Sequence, residues 1–156
     1  MLFRTHLVFS IFLFLLLDPL VIKNKFLFFI STVVSSVVLD LDLPKSKIGK
    51  RILLSHLINL FFGHRGFLQS FTFVIIFSLT LFLLKISPVL ILGFATGYSS
   101  HLLLDSLTIK GVYLFWPLKV KVKGFLRTGS LLENLLFLVF FVLVSLMTFH
   151  KLSNFL

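Results

Sequence analysis

Five long apolar runs and one short one, separated by compact polar breaks, set the layout of this chain. Residues 7–22 form the first run, interrupted by Asp18-Pro19, and Lys23, Asn24 and Lys25 close it in a tight polar turn. The second run, 26–39, carries Ser31, Thr32, Ser35 and Ser36, small polar residues suited to close packing against a neighbouring helix. A polar block, DLDLPKSKIGKR, fills 40–51. Residues 52–62 are apolar but only 11 long, with His56 and Asn59 among them, and read as a short interfacial helix rather than a crossing. After the polar break GHRG at 63–66, residues 67–84 form the third long run and 89–104 the fourth, in which Gly93 and Gly97 are spaced as a close-packing pair. A basic loop at 105–130 contains an apolar patch, 112–118, expected to dip into the membrane interface, and 131–149 is the last run.

A helix needs about 20 apolar residues to cross a bilayer core of about 30 Å. The pattern therefore predicts an all-α, polytopic transmembrane helical bundle with about four to five membrane segments plus one short interfacial helix, forming a single membrane domain over 1–156. The first 20 residues have a charged start and an apolar run but no small-residue cleavage site, so they are expected to stay as the first membrane helix.

Composition strengthens the membrane reading. The chain is 58% hydrophobic with 22 Phe, against about 45–50% apolar for a soluble domain. It has no cysteine, which excludes disulfides, thiolate metal ligands and thiol nucleophiles, and leaves His and carboxylates as candidate ligands. The net charge of +10 points to cytoplasmic loops and anionic lipid. Nucleic acid is not expected, because the basic block at 45–51 has no interleaved aromatic residues. With five crossings, Arg4, Lys45, Lys47, Lys50, Arg51, Arg65, Lys110, Lys119, Lys121, Lys123 and Arg127 lie on one side, and only Lys23, Lys25, Lys85 and Lys151 on the other. Cytoplasmic loops are rich in Lys and Arg, which orients the first side to the cytoplasm and makes the protein multi-pass in the plasma (inner) membrane.

The same division gathers the chemistry. Of five acidic residues, Asp40, Asp42, Asp105 and Glu133 fall at segment ends on the basic side, joined there by His6, His64 and His101. His101 and Asp105 are four residues apart, on one face of a helix. Asp40 and Asp42 flank Leu41, so both carboxylates point one way in an extended segment. Each feature alone also suits a polar helix end, with His favoured at a C-terminus and Glu at an N-terminus. Together they suggest a site for a divalent metal, zinc foremost, with manganese or magnesium as alternatives. Such a metal, ringed by cations, suits hydrolysis of a phosphate ester or phospholipid. Arg65 and the cations Lys45, Lys47, Lys50 and Arg51 would hold the phosphate, and Glu133, if not a ligand, would act as general base. Asp18 falls nearer the opposite face.

The pieces THLVFS, DLDLPKSKIGKR, GHRGFLQSF, GYSSHLLLDSLTIKGVYLFWP and GSLLENLLF occur in this order from near the N-terminus into the last run. In them the chain resembles the YdjM-type family of membrane-bound metal-dependent hydrolases. The resemblance implies a multi-helix membrane protein, a hydrolase activity, and distant kinship with zinc-dependent phospholipase C-like helical enzymes. Carried over by position, it implies His6, Asp40, Asp42, His64, His101 and Asp105 as metal ligands, with Glu133 a further candidate. The chain departs from the family pattern at Leu43 and Gln69, where the family has histidines. Two other functions compete: a membrane scaffold binding anionic lipid or a cytoplasmic partner, which Leu43 and Gln69 favour, and a transporter, which the gathering of ionisable groups at one face disfavours.

Overall fold

The computed structural model describes residues 1–20, 24–41, 66–118 and 120–154. Among them are five α-helices and no strand: α1 (Phe3–Leu17, continued by a 3-10 turn at Asp18–Leu20), α2 (Lys25–Leu41), α3 (Phe71–Leu83), α4 (Pro88–Ser106) and α5 (Leu131–Ser153). The expected all-α architecture is present, and each long apolar run became a helix. α3 starts at Phe71 because the Ser70 side chain caps it, accepting from the Phe73 amide. α4 starts at Pro88, where the missing amide proton costs nothing.

Among the described residues two helices are long and apolar enough to cross a membrane, Phe3–Leu20 and Leu131–Ser153. The 17 residues of α2 and the 13 of α3 rise only about 25 Å and about 20 Å, while α4 interrupts its apolar sequence with Ser99, Ser100, His101 and Asp105. Large apolar side chains nevertheless face outward: Ile75, Leu79 and Phe82 on α3, and Leu138, Val142 and Leu146 on α5. A surface of that kind calls for lipid rather than water around it. The interfacial helix expected at 52–62 lies outside the described residues.

α4 is the central packing element. Its tightest contact is with α2, because Gly93 and Gly97 bring the two backbones together. A Cβ on Gly93 would lie 2.6 Å from the Ser31 Cβ and 2.9 Å from the Phe28 carbonyl oxygen; one on Gly97 would overlap the Thr32 carbonyl and the Ser35 hydroxyl. Ser31 Oγ donates across the contact to the Leu90 carbonyl at 2.8 Å. On its other side α4 meets α3 through Phe73 with Tyr98 and Phe77 with Phe94. α1 packs on α2 through Phe14 with Phe28 and Phe29, and on α5 through Phe9 and Phe12 with Phe140.

The segment between α4 and α5 folds back over one end of the bundle. Val112 and Val122 exchange both backbone hydrogen bonds, at 3.0 and 2.9 Å, and Thr108 bridges to Leu126. The apolar patch at 112–118 divides. Val112 and Leu114 are buried in the core with Leu39, Val74, Tyr98 and Leu102, whereas Phe115, Trp116 and Leu118 face outward. Only the latter part is free to meet an interface, because the Phe71 amide donates to the Leu114 carbonyl at 2.8 Å and holds the first part against α3. At the opposite end, Asp18 pairs with Lys151 at 2.6 Å and Lys25 at 3.3 Å, fastening α1, α2 and α5.

Because no side chain fits between α2 and α4 at residue 97, Gly97→Val is expected to destabilise the bundle by about 1–3 kcal/mol or more. Leu92→Val, on an exposed position of the same helix, should stay within about 0.5 kcal/mol. Thermal unfolding in detergent micelles followed by circular dichroism checks the difference.

Candidate metal centre

The starts of α1 and α5 and the end of α4 meet at the end of the bundle covered by the 107–130 segment. His6 lies in the first turn of α1, while His101 and Asp105 are one turn apart in the last two turns of α4. The imidazoles of His6 and His101 stack with centroids 3.8 Å apart and planes within 9°. Both Nε2 atoms face the same carboxylate: His6 Nε2 is 3.4 Å from Asp105 Oδ1, and His101 Nε2 is 3.4 Å from Oδ2. One donor atom from each residue lies within 4.8 Å of the others. The rings are fully buried and the Asp105 side chain is 22% exposed, so the carboxylate faces the opening.

His101 Nδ1 lies 2.8 Å from the Ser36 carbonyl oxygen. A carbonyl only accepts, so Nδ1 carries the proton, and in the neutral ring the lone pair is on Nε2, the atom turned toward Asp105. His6 has no such partner: its Nδ1 has no hydrogen bond among the described residues, and its Nε2 meets Asp105 Oδ1 at 3.4 Å, longer than a good hydrogen bond. Buried polar nitrogens without partners are costly. Asp105 lies one residue beyond the apolar run 89–104. Burial raises its carboxyl, but contact with the two imidazoles and nearby positive charge outweighs burial and holds it well below the usual carboxylate range. The Met1 amino group also lies 2.6 Å from Oδ1.

This donor set fits a divalent cation. The two Nε2-to-oxygen contacts end on different oxygens of Asp105, and one donor atom from each residue lies within 4.8 Å of the others, close enough for the three side chains to share one cation. Two imidazoles and one carboxylate also form a three-ligand set of the kind that leaves a position open in catalytic zinc sites. The carbonyl on His101 Nδ1 is the outer contact that orients such a ligand.

Glu133 is fully buried beside this group, in the first turn of α5. Its Oε1 accepts from the Leu2 amide at 2.6 Å and Thr5 Oγ1 at 3.2 Å, and its Oε2 accepts from the Gly129 amide at 2.6 Å. One carboxylate thus serves the orphan donors at the starts of two helices, and it fixes the turn of α1 that carries His6. The signal for this role is in the sequence: Ser130-Leu131-Leu132-Glu133 is a capping box.

Asp40 lies in the last turn of α2, one turn beyond Ser36 and at this same end. Its side chain lies outside the described residues, as do His56, Asp42, Leu43, His64, Arg65, Lys45, Lys47, Lys50 and Arg51. Gln69 is described, and it lines a cavity of about 100 Å³ together with His101, Asp105, Thr108, Lys110 and Thr128. Asp18 is at the other end of the bundle, as its position in the sequence implied. The Ser36 carbonyl had no signal in the side-chain pattern beyond the small residues around it.

Fold and site together define an all-helical membrane protein that gathers two histidines and an aspartate at one end of its bundle. The family described as YdjM inner membrane protein matches residues 1–155. Over 108 residues the chain is 32% identical to YvsG of Bacillus subtilis (strain 168), covering 67% of this chain and 68% of that protein. Over 121 residues it is 33% identical to inner membrane protein YdjM of Escherichia coli (strain K12), and equally to that of Shigella flexneri, covering 72% of this chain and 62% of each of those proteins. The chain therefore belongs to the YdjM family of inner membrane proteins, and its match spans less than two thirds of the Escherichia and Shigella relatives. No solved structure matches it.

Glu133→Ala would remove the charged acceptor of the part-buried Leu2 and Gly129 hydrogen bonds, at about 1–3 kcal/mol in all. The expected result is a clear fall in the detergent-phase unfolding temperature, partly recovered in Glu133→Gln, which keeps one acceptor oxygen. Equal losses in the two variants would refute the capping role.

Proposed function

We propose that this protein is a metal-dependent hydrolase of the inner membrane, with His6, His101 and Asp105 at the core of a divalent-metal site. The observation that carries the reading is the convergence of two buried imidazoles on the Asp105 carboxylate, with His6 Nε2 and His101 Nε2 each 3.4 Å from one of its oxygens and the His101 ring already held in the ligating tautomer. Zinc suits two imidazoles and a carboxylate better than magnesium, which favours an all-oxygen shell; manganese falls between. Asp40, Asp42 and His64 join as further ligands through the family resemblance. A divalent cation here would polarise a phosphoryl oxygen and acidify water. The chain's own residues do the rest: the Ser36 carbonyl orients His101, and Arg65 with Lys45, Lys47, Lys50 and Arg51 binds phosphate. Glu133 positions the start of α1 through the Leu2 amide and Thr5, and its Oε2, which accepts only the Gly129 amide, keeps a lone pair for the general-base role. The substrate class is a phospholipid or phosphate ester.

In this reading the site faces the cytoplasm, and five helices cross or enter the membrane in alternating directions. The charge division supports the orientation, and so does the meeting of the starts of α1 and α5 with the ends of α2 and α4. A reporter fused after Lys151 is expected outside the cytoplasm, and a cytoplasmic signal would refute the crossing count.

Leu43 and Gln69, in place of the family's histidines, favour a second reading in which the site is a metal-free or structural centre of a scaffold that binds anionic lipid or a cytoplasmic partner. Elemental mass spectrometry of the detergent-purified protein separates the two. The hydrolase reading expects about one or two equivalents of zinc or another divalent metal, lost in His6→Ala, His101→Ala and Asp105→Ala while helix content is kept. Failure of added zinc and manganese to bind would give the scaffold first place.

A further inference from the structure

Two cavities open along the α2–α4 pair, and they differ in chemistry. The first is the polar pocket of about 100 Å³ beside His101 and Asp105. A water molecule takes about 30 Å³ in the liquid, so the pocket has room for about three waters or one compact anionic group. Gln69, Thr108 and Thr128 bring hydrogen-bonding groups to it, the Met1 amino group there pairs with Asp105, and among the described residues no carboxylate pairs with Lys110. The second is an apolar groove of about 270 Å³, walled by Ile30, Val34 and Val38 of α2 and by Leu90, Phe94 and Tyr98 of α4. Ser31 and Ser35 floor it, but their hydroxyls donate to the Leu90 and Ser31 carbonyls at 2.8 and 2.6 Å, so the floor offers no free donor.

The linings of the two cavities meet in the core cluster that holds Leu39 of the pocket and Tyr98 of the groove. Val38 ends the groove and the next residue, Leu39, lines the pocket. Tyr98 ends the groove on α4, and its hydroxyl donates at 2.7 Å to the carbonyl of Leu68, the neighbour of pocket-lining Gln69. From Val38 back to Ile30 the groove runs about 12 Å along the helix axis. An apolar groove of that length, near a pocket where the Met1 amino group pairs with Asp105 and Lys110 adds a further positive charge, matches an amphiphile: an anionic head at Lys110 and an aliphatic tail lying between two helices.

We propose that the polar pocket seats the phosphate head of a single anionic lipid and that the α2–α4 groove holds one of its acyl chains. This deepens the hydrolase reading by giving the substrate its shape, and it rests on that reading only for what is done to the lipid, not for its binding. Lys110 meets the phosphate by a charge-assisted hydrogen bond. Gln69 stands beside it as a neutral donor, so a side chain that supplies an amide in place of imidazole contributes to the head-group seat.

The test is binding of short-chain lipids to the detergent-purified full chain by isothermal calorimetry, with metal content measured on the same samples. Three probes are used: dioctanoyl phosphatidic acid, dioctanoylglycerol and inorganic phosphate. The proposal expects phosphatidic acid to bind at least about ten-fold more tightly than either of the others. Lys110→Gln should weaken it by about ten-fold or more, the range of a lost hydrogen bond to a charged group. Val34→Trp, at a half-exposed groove position, should weaken phosphatidic acid and leave inorganic phosphate unchanged. Ile30→Trp repeats that arm should Val34→Trp lose helix content. Equal binding of dioctanoylglycerol, equal binding of phosphate alone, or indifference of both groove variants overturns the proposal. Metal absent from the parent would sink the hydrolase reading instead, while the lipid arms still decide this one.

Discussion

The rest of the structure depends on how closely α2 and α4 approach at Gly93 and Gly97. With no side chain between them at residue 97, the α4 backbone lies directly on the Thr32 carbonyl and the Ser35 hydroxyl. His101 is one turn further along α4. At that separation its ring reaches the Ser36 carbonyl, and Asp105, another turn along, carries the same face out to the end of the bundle. A wider helix pair would leave the Ser36 carbonyl out of reach and the imidazole free to rotate. In lipid there is little hydrophobic gain from bringing helices together, so contact of this kind relies on small residues and on hydrogen bonds across the seam.

Buried polar groups are distributed unevenly, and the difference between the two ends separates fastening from chemistry. At the Asp18 end a carboxylate meets two lysines, which neutralise it and tie three helices together. At the other end Glu133 is also satisfied, by amides and a hydroxyl at the helix starts. His6 differs in its surroundings. The structure covers it fully, stacks it on His101 and turns both Nε2 atoms to the Asp105 carboxylate at 3.4 Å. Two nitrogens and a carboxylate that converge in this way are the buried polar cluster of the bundle on which the proposed metal site rests.

The folded-back segment 107–130 changes how the basic charge should be understood. In the sequence its lysines look like one solvated, lipid-attracting loop. In the fold, Val112, Leu114 and Leu126 anchor it in the core, and Lys110 lines the pocket beside the histidines. Part of the positive charge, on Lys110, therefore lies beside the histidines rather than in a solvated loop. Val112 and Leu114 also show why an apolar patch in a loop does not by itself mean an interfacial dip: with core space open at the bundle end, they are buried there instead.

Local pattern was enough to place the helices to within a few residues, because each run of apolar residues must bury or solvate its face in lipid whatever its neighbours do; the start of α3 at Phe71 rather than at 67, set by the Ser70 cap, and the start of α4 at Pro88 came from the structure. The pairing of His101 with Asp105 was legible for the same reason: four-residue spacing fixes it within one helix. The glycine pair and the small-residue stripe also announced that two helices approach closely, though not that they approach each other. Tertiary structure alone decided the rest. It brought His6, at the other end of the sequence, onto His101, supplied a backbone carbonyl that no side-chain pattern encodes, and turned both oxygens of Glu133 to donors at helix starts. Those outcomes depend on distances between elements far apart in the chain, and a sequence specifies such distances only through the packing of the whole bundle.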